Sequence, residues 1–404
     1  MTEVFTGSFT LQEPIPEDGI AAAVAVMRSG RLHRYNTGPE DTGETAALEV
    51  DFAGFTGARH CLAVASGGAA MRLALRACGV GPGSRVLTNA FTLAPVPGAI
   101  AALGAEPVFV DTTPDLVIDL DDLAAKAWPG AVLLLSHMRG HIADMDALVA
   151  LCDRTGVRVI EDCAHTMGAR FRGVASGRHG IAGCYSTQSY KHLNSGEGGL
   201  IVTDDAALMA HMVLASGSYM LFDRHPAGPP PDAYAALKWT VPNVSSRMDN
   251  LRAAILRAQL PLLHDRVARW RVRHDALVAA LQGVPGLALI RRHPEAEFVG
   301  SSFQFRLPGR DAGGIEGFLA RCAARGVELK WFGRAEPQGF TSKHDQWRYA
   351  PAQRLPATDA VLAGLVDMRL PLTFGLDDCA LIGRIIAQEV VSNAPAPARH
   401  IQGD

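Results

Sequence analysis

The chain has no uninterrupted apolar run of about 18 residues, the length a membrane-spanning helix needs. Its best stretch, Leu93 to Val110, is broken by Pro95, Pro97, Glu106 and Pro107, which excludes a span there. It has no excess of either charge. Lys and Arg number 38 against 41 Asp and Glu, a formal net charge of −3, so neither nucleic acid nor membrane is expected as a partner. No C-x-x-C pair occurs among the seven scattered cysteines, a set that reads as reduced thiols. The opening Met1-Thr2-Glu3-Val4 has neither the basic nor the apolar region of a secretion leader. Both features lead to the expectation of a cytoplasmic protein. No internal repeat is visible. The Lys-Ser/Thr of the nucleotide P-loop and the G-x-G-x-x-G dinucleotide spacing are missing too, which excludes both phosphate-binding fingerprints.

What is present is an ordinary globular composition, 48% hydrophobic and 20% charged over 404 residues, long enough for roughly two or three domains. Short apolar runs at His60 to Ala65, Val86 to Thr88, Pro107 to Asp111, Ala131 to Ser136, Val157 to Asp162 and Leu200 to Thr203 alternate with helical lengths of sequence. That pattern predicts an α/β fold with a mostly parallel central sheet covered on both faces. A long helical pattern from Asp249 to about Leu281 is expected to bend at Pro261, and Pro226 to Pro231 reads as a surface loop. Beyond it the sequence suggests a small α+β C-terminal domain. The expected organisation is a large domain over 1–265, including the N-terminal segment, a small domain over 266–393 and a flexible tail over 394–404.

In open α/β sheets ligands bind at the carboxyl ends of the strands. Three such ends carry polar or Gly-rich sequence: Ser66-Gly67-Gly68-Ala69, Ser136-His137-Met138-Arg139-Gly140 and Glu161-Asp162-Cys163-Ala164-His165. The first is a strand-to-helix turn whose backbone N–H groups suit a phosphate, although tight packing alone would explain its small residues. Asp162 ends an apolar strand, where a carboxylate is costly to bury without a cation. It reads either as a cap or as the acid holding a positively charged ring nitrogen. His165 suits a core histidine equally well. The segment Tyr185 to Gly199 places polar side chains before Lys191 and a Gly-rich turn after it. Only Lys126, Lys191, Lys238, Lys330 and Lys343 are available as a Schiff-base lysine, and Lys191 alone has such a setting. Arg139 offers a planar fork for a carboxylate or phosphate of the substrate; the alternative is a surface arginine paired with Asp144 or Asp146. His137, His141 and Asp144 lack a third His or Cys nearby, so no metal is expected. Cys163 and Cys184 have no adjacent base and read as packing. Trp331 to Tyr349 is either a substrate-facing loop or a surface excursion.

Together these motifs resemble the DegT/DnrJ/EryC1/StrS family of pyridoxal-phosphate aminotransferases of fold type I, from Gly38-Pro39 to the last helix. The markers are Ser66-Gly67-x-Ala69-Ala70, Gly81-Pro82-Gly83, Pro107-Val108-Phe109-Val110-Asp111, Ala143-Asp144-Met145-Asp146, Ile160-Glu161-Asp162-x-Ala164-His165, Lys191 with Gly196-Glu197-Gly198-Gly199, and Arg247-Met248. The resemblance implies pyridoxal 5'-phosphate as cofactor, Lys191 as its Schiff-base partner and Asp162 on the ring nitrogen. It also implies His165 against the ring, and Ser186 with the backbone of Gly68 and Ala69 on the phosphate. Gly68 stands where Thr is usual, Leu93 where an aromatic residue often stacks on the ring, and Ser245 where a partner-subunit Asn reaches the phosphate, with Asn243 as a substitute. Arg139 stands where Tyr or Ala is common. Arg247 and Gln188 join Arg139 as expected substrate contacts, and Gln188-x-x-Lys191 is similar to members acting on cyclitol-type or aromatic-precursor ketones. The implied function is transfer of an amino group from L-glutamate or L-glutamine to a carbonyl of a keto sugar, cyclitol or related metabolite, in a homodimer with shared active sites. The alternatives are a sugar dehydratase, in which a histidine replaces the lysine, with His192 one place away, and a non-catalytic regulatory or scaffold protein.

Overall fold

The structure, a computed structural model, describes residues 3–38 and 41–392. Pro39 and the expected tail over 394–404 lie outside the described residues. The apolar runs of the first half form β1 (His60–Val64), β2 (Arg85–Asn89), β3 (Glu106–Val110), β4 (Val132–Ser136) and β5 (Arg158–Asp162). After a small hairpin, β6 (Arg170–Phe171) and β7 (Val174–Ala175), come β8 (Ala182–Ser186) and β9 (Gly199–Thr203). Seven of these form one sheet in the order β1-β9-β8-β5-β4-β2-β3. Only β9 runs against the rest, pairing antiparallel with β1 and β8, while β8, β5, β4, β2 and β3 are parallel neighbours. The mostly parallel sheet is therefore as expected. β8 was not foreseen, because Ala182–Ser186 leads straight into polar sequence and lacks a long apolar run.

Side chains of a strand alternate between faces, and both faces of this sheet are buried. Leu133 and Leu135 of β4 join a core with Leu48, Phe52 and Leu87. Val132 and Leu134 join the opposite core with Leu62, Leu73 and Met209. This two-sided burial is why the strands read as continuous apolar runs. Aspartates cap several helices: Asp144 accepts from Ala147 N–H, Asp205 from Leu208 N–H and Asp249 from Arg252 N–H.

The expected long helix is split at Pro261, which has no N–H to donate. Helix Asn250–Gln259 passes through a tight turn, Leu260–Leu262, into helix Leu263–Leu281. That second helix serves both parts of the molecule. Leu263, Val267 and Trp270 pack in the large core, Leu277 and Leu281 in a separate C-terminal one. Phe5 and Phe9 also lie in the C-terminal core, each with its ring 5.0 Å from Phe374. The first residues thus pack with the C-terminal part, and not with the large domain where the sequence reading put them.

The C-terminal part holds β10 (Ala288–Leu289), β11 (Ala296–Glu297), β12 (Ser302–Arg306), β13 (Lys330–Trp331) and β14 (Leu365–Arg369). Four of them form an antiparallel sheet, β10-β12-β14-β13. Phe303, Phe305, Val366 and Met368 point into its core with helices Ala312–Ala324 and Leu376–Val391. The alternate positions, Ser302, Gln304, Asp367 and Arg369, make the other face polar, and this face meets the large domain. Pro226 to Pro231 is a loop with Pro226, Pro230 and Pro231 exposed, as expected, but Ala227 is buried and its carbonyl accepts from Cys61 N–H at 3.2 Å, covering the edge strand β1. Among the described residues no helix is long and apolar enough to cross a membrane.

Candidate active site

β1, β4, β5 and β8 point the same way, so their carboxyl ends meet at one rim. A cavity of about 400 Å³ opens there, lined by Gly67, Gly68, Leu93, Asp162, His165, Ser186, Gln188 and Lys191, among others. Residues spread over 125 positions of sequence are brought to one place by strand order alone.

At the β1 end, Ser66 caps helix Gly67–Ala77 by accepting from Ala69 N–H at 3.0 Å. Ala69 was expected to lend that N–H to a phosphate, and it is already engaged. Among the described residues the Gly67 and Gly68 N–H groups carry no such bond, and with the helix dipole they form the anion-binding end. A side chain at residue 67 would lie 2.9 Å from Ser186 Cβ, so glycine there lets the β8 end close on the helix start. At residue 68 an added Cβ meets nothing nearer than Ser66 Oγ at 3.8 Å, so glycine is not sterically required.

Asp162 ends β5, buried to 6% exposure. Its Oδ2 accepts from Ser136 Oγ at 2.9 Å and its Oδ1 from Ala164 N–H at 3.1 Å. Neither partner is charged, and burial pushes the carboxyl above its ordinary range. Its neighbour Glu161 points to the opposite face of the sheet and accepts the N–H groups of Gly177, His179 and Gly180 as well as His137 Nε2. His137, Glu161 and Cys163 place three possible metal ligands within 4.8 Å, but Glu161 is already saturated with donors. His141 is separate from them, bonded to Gln304.

Lys191 Nζ lies 2.9 Å from His165 Nε2. Arg139 N–H donates to His165 Nδ1 at 3.3 Å. Burial and the nearby Lys191 keep the imidazole well below its ordinary pKa, hence neutral. With Nδ1 accepting, the ring proton sits on Nε2, where it can be donated to Lys191 Nζ once that amine is neutral. Burial, aided by the Arg139 and Arg369 charges and opposed by Asp162, brings the Lys191 ammonium down to about 8. The amine is therefore available as a nucleophile near neutral pH. His192 is turned away, buried with Nε2 on Ser301 Oγ at 2.9 Å, so no shift of register puts a histidine at the lysine's place.

Three predicted residues lie away from this cavity in their own chain. Asn243 Oδ1 accepts from Ser245 N–H at 2.9 Å, and Arg247 donates to the Gly217 carbonyl at 3.0 Å while lying 4.9 Å from the Tyr219 ring. Arg139 is not a surface arginine. It is 8% exposed, and its Nη2 donates to the buried Asp367 Oδ2 of β14 at 2.7 Å, joining the turn after β4 to the small sheet. Asp144 and Asp146, its expected alternatives, cap a helix and pair with Arg172. Trp331 to Tyr349 is anchored at both ends by the buried Trp331 and Trp347 and places Phe340 4.5 Å from the Arg139 guanidinium, while Ala335 to Gly339 run exposed over the surface. Sequence reasoning missed Asp367, Arg369 and Phe340, which only the domain packing brings to the rim.

Residues 15–385 match the sequence profile of the DegT/DnrJ/EryC1/StrS aminotransferase family. The chain belongs to that family. It is 34% identical over 281 residues to a pleiotropic regulatory protein of Geobacillus stearothermophilus, covering 67% of this chain and 70% of the relative. It is also 34% identical over 300 residues to dTDP-3-amino-3,4,6-trideoxy-alpha-D-glucose transaminase of Streptomyces venezuelae, covering 72% of each. The crystal structure of S. venezuelae DesV in complex with a ketimine intermediate superposes with a TM-score of 0.77 at 26% identity, over 92% of this chain and 94% of that one. As a DegT/DnrJ/EryC1/StrS aminotransferase the protein depends on pyridoxal phosphate, and the cavity fits it. Asp162 is a buried carboxylate whose hydrogen-bond partners are neutral, the Gly67–Gly68 helix start suits an anion, and Lys191, an amine of lowered pKa, lines the same cavity.

Proposed function

We propose that the protein is a cytoplasmic homodimer that takes an amino group from L-glutamate or L-glutamine and delivers it to a carbonyl of a keto sugar, cyclitol or related metabolite. The observation that carries this reading is the meeting of Lys191, His165 and Asp162 at one cavity. In it Asp162 holds the ring nitrogen, Gly67, Gly68 and Ser186 hold the phosphate, and Leu93 supplies an apolar face. When bound, pyridoxal phosphate supplies the electron sink that lets a Cα proton leave. Lys191 Nζ would be the base that takes the proton from the donor Cα. The neutral His165 keeps that amine in place without adding charge. Such a complete set weighs against a non-catalytic scaffold, and Lys191 against a dehydratase.

A second copy of the chain is supported by the surface around Asn243, Ser245 and Arg247. Trp239 is 78% exposed and Tyr219 59%, with Met220 and Val244 also open, an apolar patch of the kind subunit contacts cover. From it Asn243, Ser245 or Arg247 reach the partner's site. The seven unpaired, buried cysteines support a reducing compartment. The test is to treat the loaded enzyme with L-glutamate or L-glutamine, follow the loss of visible absorbance, and screen keto sugars and cyclitols for its return. If no amino acid bleaches the cofactor, the aminotransferase reading is wrong.

A further inference from the structure

A cleft of about 680 Å³ lies apart from the cofactor cavity and shares no lining residue with it. It is bounded by the chain after β3, the chain after β4 and the segment joining β10 to β11. The turn Met138–Gly140 touches both spaces. On the cofactor side Arg139 N–H donates to His165, and on the cleft side the Gly140 carbonyl accepts from Arg292 Nη1 at 2.8 Å.

Arg292 is a cation without a counter-ion. Its neighbour Arg291 pairs with Asp115 at 2.9 Å. Of the other aspartates along the cleft, Asp119 and Asp144 cap helices Leu120–Lys126 and Met145–Thr155, and Asp121 is exposed to water. Among the described residues no carboxylate lies within ion-pair distance of Arg292, and burial alone holds its pKa below the ordinary arginine range. The guanidinium sits over Phe298, with Cζ 4.2 Å from the ring centroid. That contact fixes its plane without using N–H groups. Apart from the bond to Gly140, those groups have no acceptor among the described residues.

His141 lines the same cleft and is 4% exposed. Gln304 Nε2 donates to Ser302 Oγ at 2.9 Å and Asp367 Oδ1 at 2.7 Å, so its Oε1 accepts from His141 Nε2 at 2.9 Å. Burial and the Arg292 charge keep the imidazole neutral. Its Nδ1 is therefore an acceptor, and it has no partner.

We infer that this cleft is a second ligand site, taking a small oxyanion that also carries an O–H group, with Arg292 on the oxyanion and His141 Nδ1 accepting from the hydroxyl. Water satisfies the imidazole but leaves the guanidinium unmatched, and a bare carboxylate does the reverse. A phosphate monoester of a polyol or a hydroxy acid supplies both, and the cleft is of the size that holds a small metabolite. The inference is independent of the reaction assigned to the cofactor cavity.

The test is calorimetric titration of the holoenzyme, used so that the Gly67–Gly68 helix start does not compete. The probes are inorganic phosphate against sulfate, and L-malate against succinate, pairs of similar charge of which only the first member carries an O–H. Phosphate, malate or both should bind with a Kd of about 1 mM or below, and which of them binds identifies the class of ligand. The member without O–H should bind severalfold more weakly, and His141→Phe should erase that preference. Arg292→Gln should raise the Kd about tenfold or more, the scale of a lost charge-assisted pair. Arg292→Lys, which keeps the charge and loses the fork, should fall between, and it decides the matter if Arg292→Gln does not fold. Arg384→Gln, at an exposed arginine paired with Glu3, should leave all these values unchanged. If neither phosphate nor malate binds, or if the Arg292 variants bind them as well as the wild type does, the site is overturned. Equal binding of both members of each pair, or a preference that survives His141→Phe, overturns the part given to His141 and the O–H.

Discussion

Replacing Asp162 by asparagine should act in opposite directions on the empty and the loaded protein. The carboxylate has two neutral donors, Ser136 Oγ at 2.9 Å and Ala164 N–H at 3.1 Å, and burial raises its pKa. A raised acid pKa means that stability is lost as pH climbs from the unfolded value through the folded one. An amide of the same shape removes that loss. Its oxygen can still accept from Ala164, and its NH₂ can donate to Ser136 Oγ if the Ser136 hydroxyl turns to Thr92 Oγ1, 2.8 Å away, which then ceases to donate to it. Asp162→Asn without cofactor should therefore be at least as stable as the wild type at pH 7.5. With cofactor the balance reverses, since the lost charge-assisted bond to the ring nitrogen is worth about 1.5–3 kcal/mol. Urea unfolding with and without pyridoxal phosphate measures both arms. The stabilisation by cofactor should shrink by that amount, and the half-reaction should slow about tenfold to a hundredfold. An empty variant destabilised by more than about 1 kcal/mol would refute the argument that the carboxylate is strained when unpartnered. So would a loaded variant of undiminished stability and rate.

The pKa of about 8 at Lys191 predicts that cofactor capture by the empty protein accelerates as pH rises through about 8 and then levels, read as the growth of visible absorbance; a midpoint in the ordinary lysine range refutes it. Stability of the empty protein should also rise between that pH and the ordinary lysine pKa, because there the unfolded chain holds a proton the folded one has released. Borohydride should fix the cofactor to the peptide containing Lys191, and label on any other lysine would displace it from the mechanism. Arg139→Ala should cost about 3–5 kcal/mol in urea unfolding, since it strands the buried Asp367, with partial recovery in Arg139→Ala/Asp367→Asn. A stability loss under about 1 kcal/mol would mean that the pair is not formed. Mixing inactive Lys191→Ala and Arg247→Ala chains should restore activity if sites are shared, and exchange of subunits without recovery would sink the shared site.

The sequence by itself determined the parallel sheet, the lysine and the acid. Buried strands need continuous apolar residues, and an acid such as Asp162 at the end of one stands out against them. Lys191 was legible because only four other lysines compete with it. The sequence also identified Arg139 as unusual, but not its partner, since Arg139 and Asp367 are 228 residues apart and no local period links them. Likewise the Ser66 side chain had to be seen bonded to Ala69 N–H before Gly67 could be put in the anion site. Only the tertiary structure decided which charges at the rim are neutralised and which are left over. That is a property of the surface between two sheets, where β14 meets the loop after β4. Pairing there depends on distances that neither segment encodes alone, and those distances make Arg139 a strut.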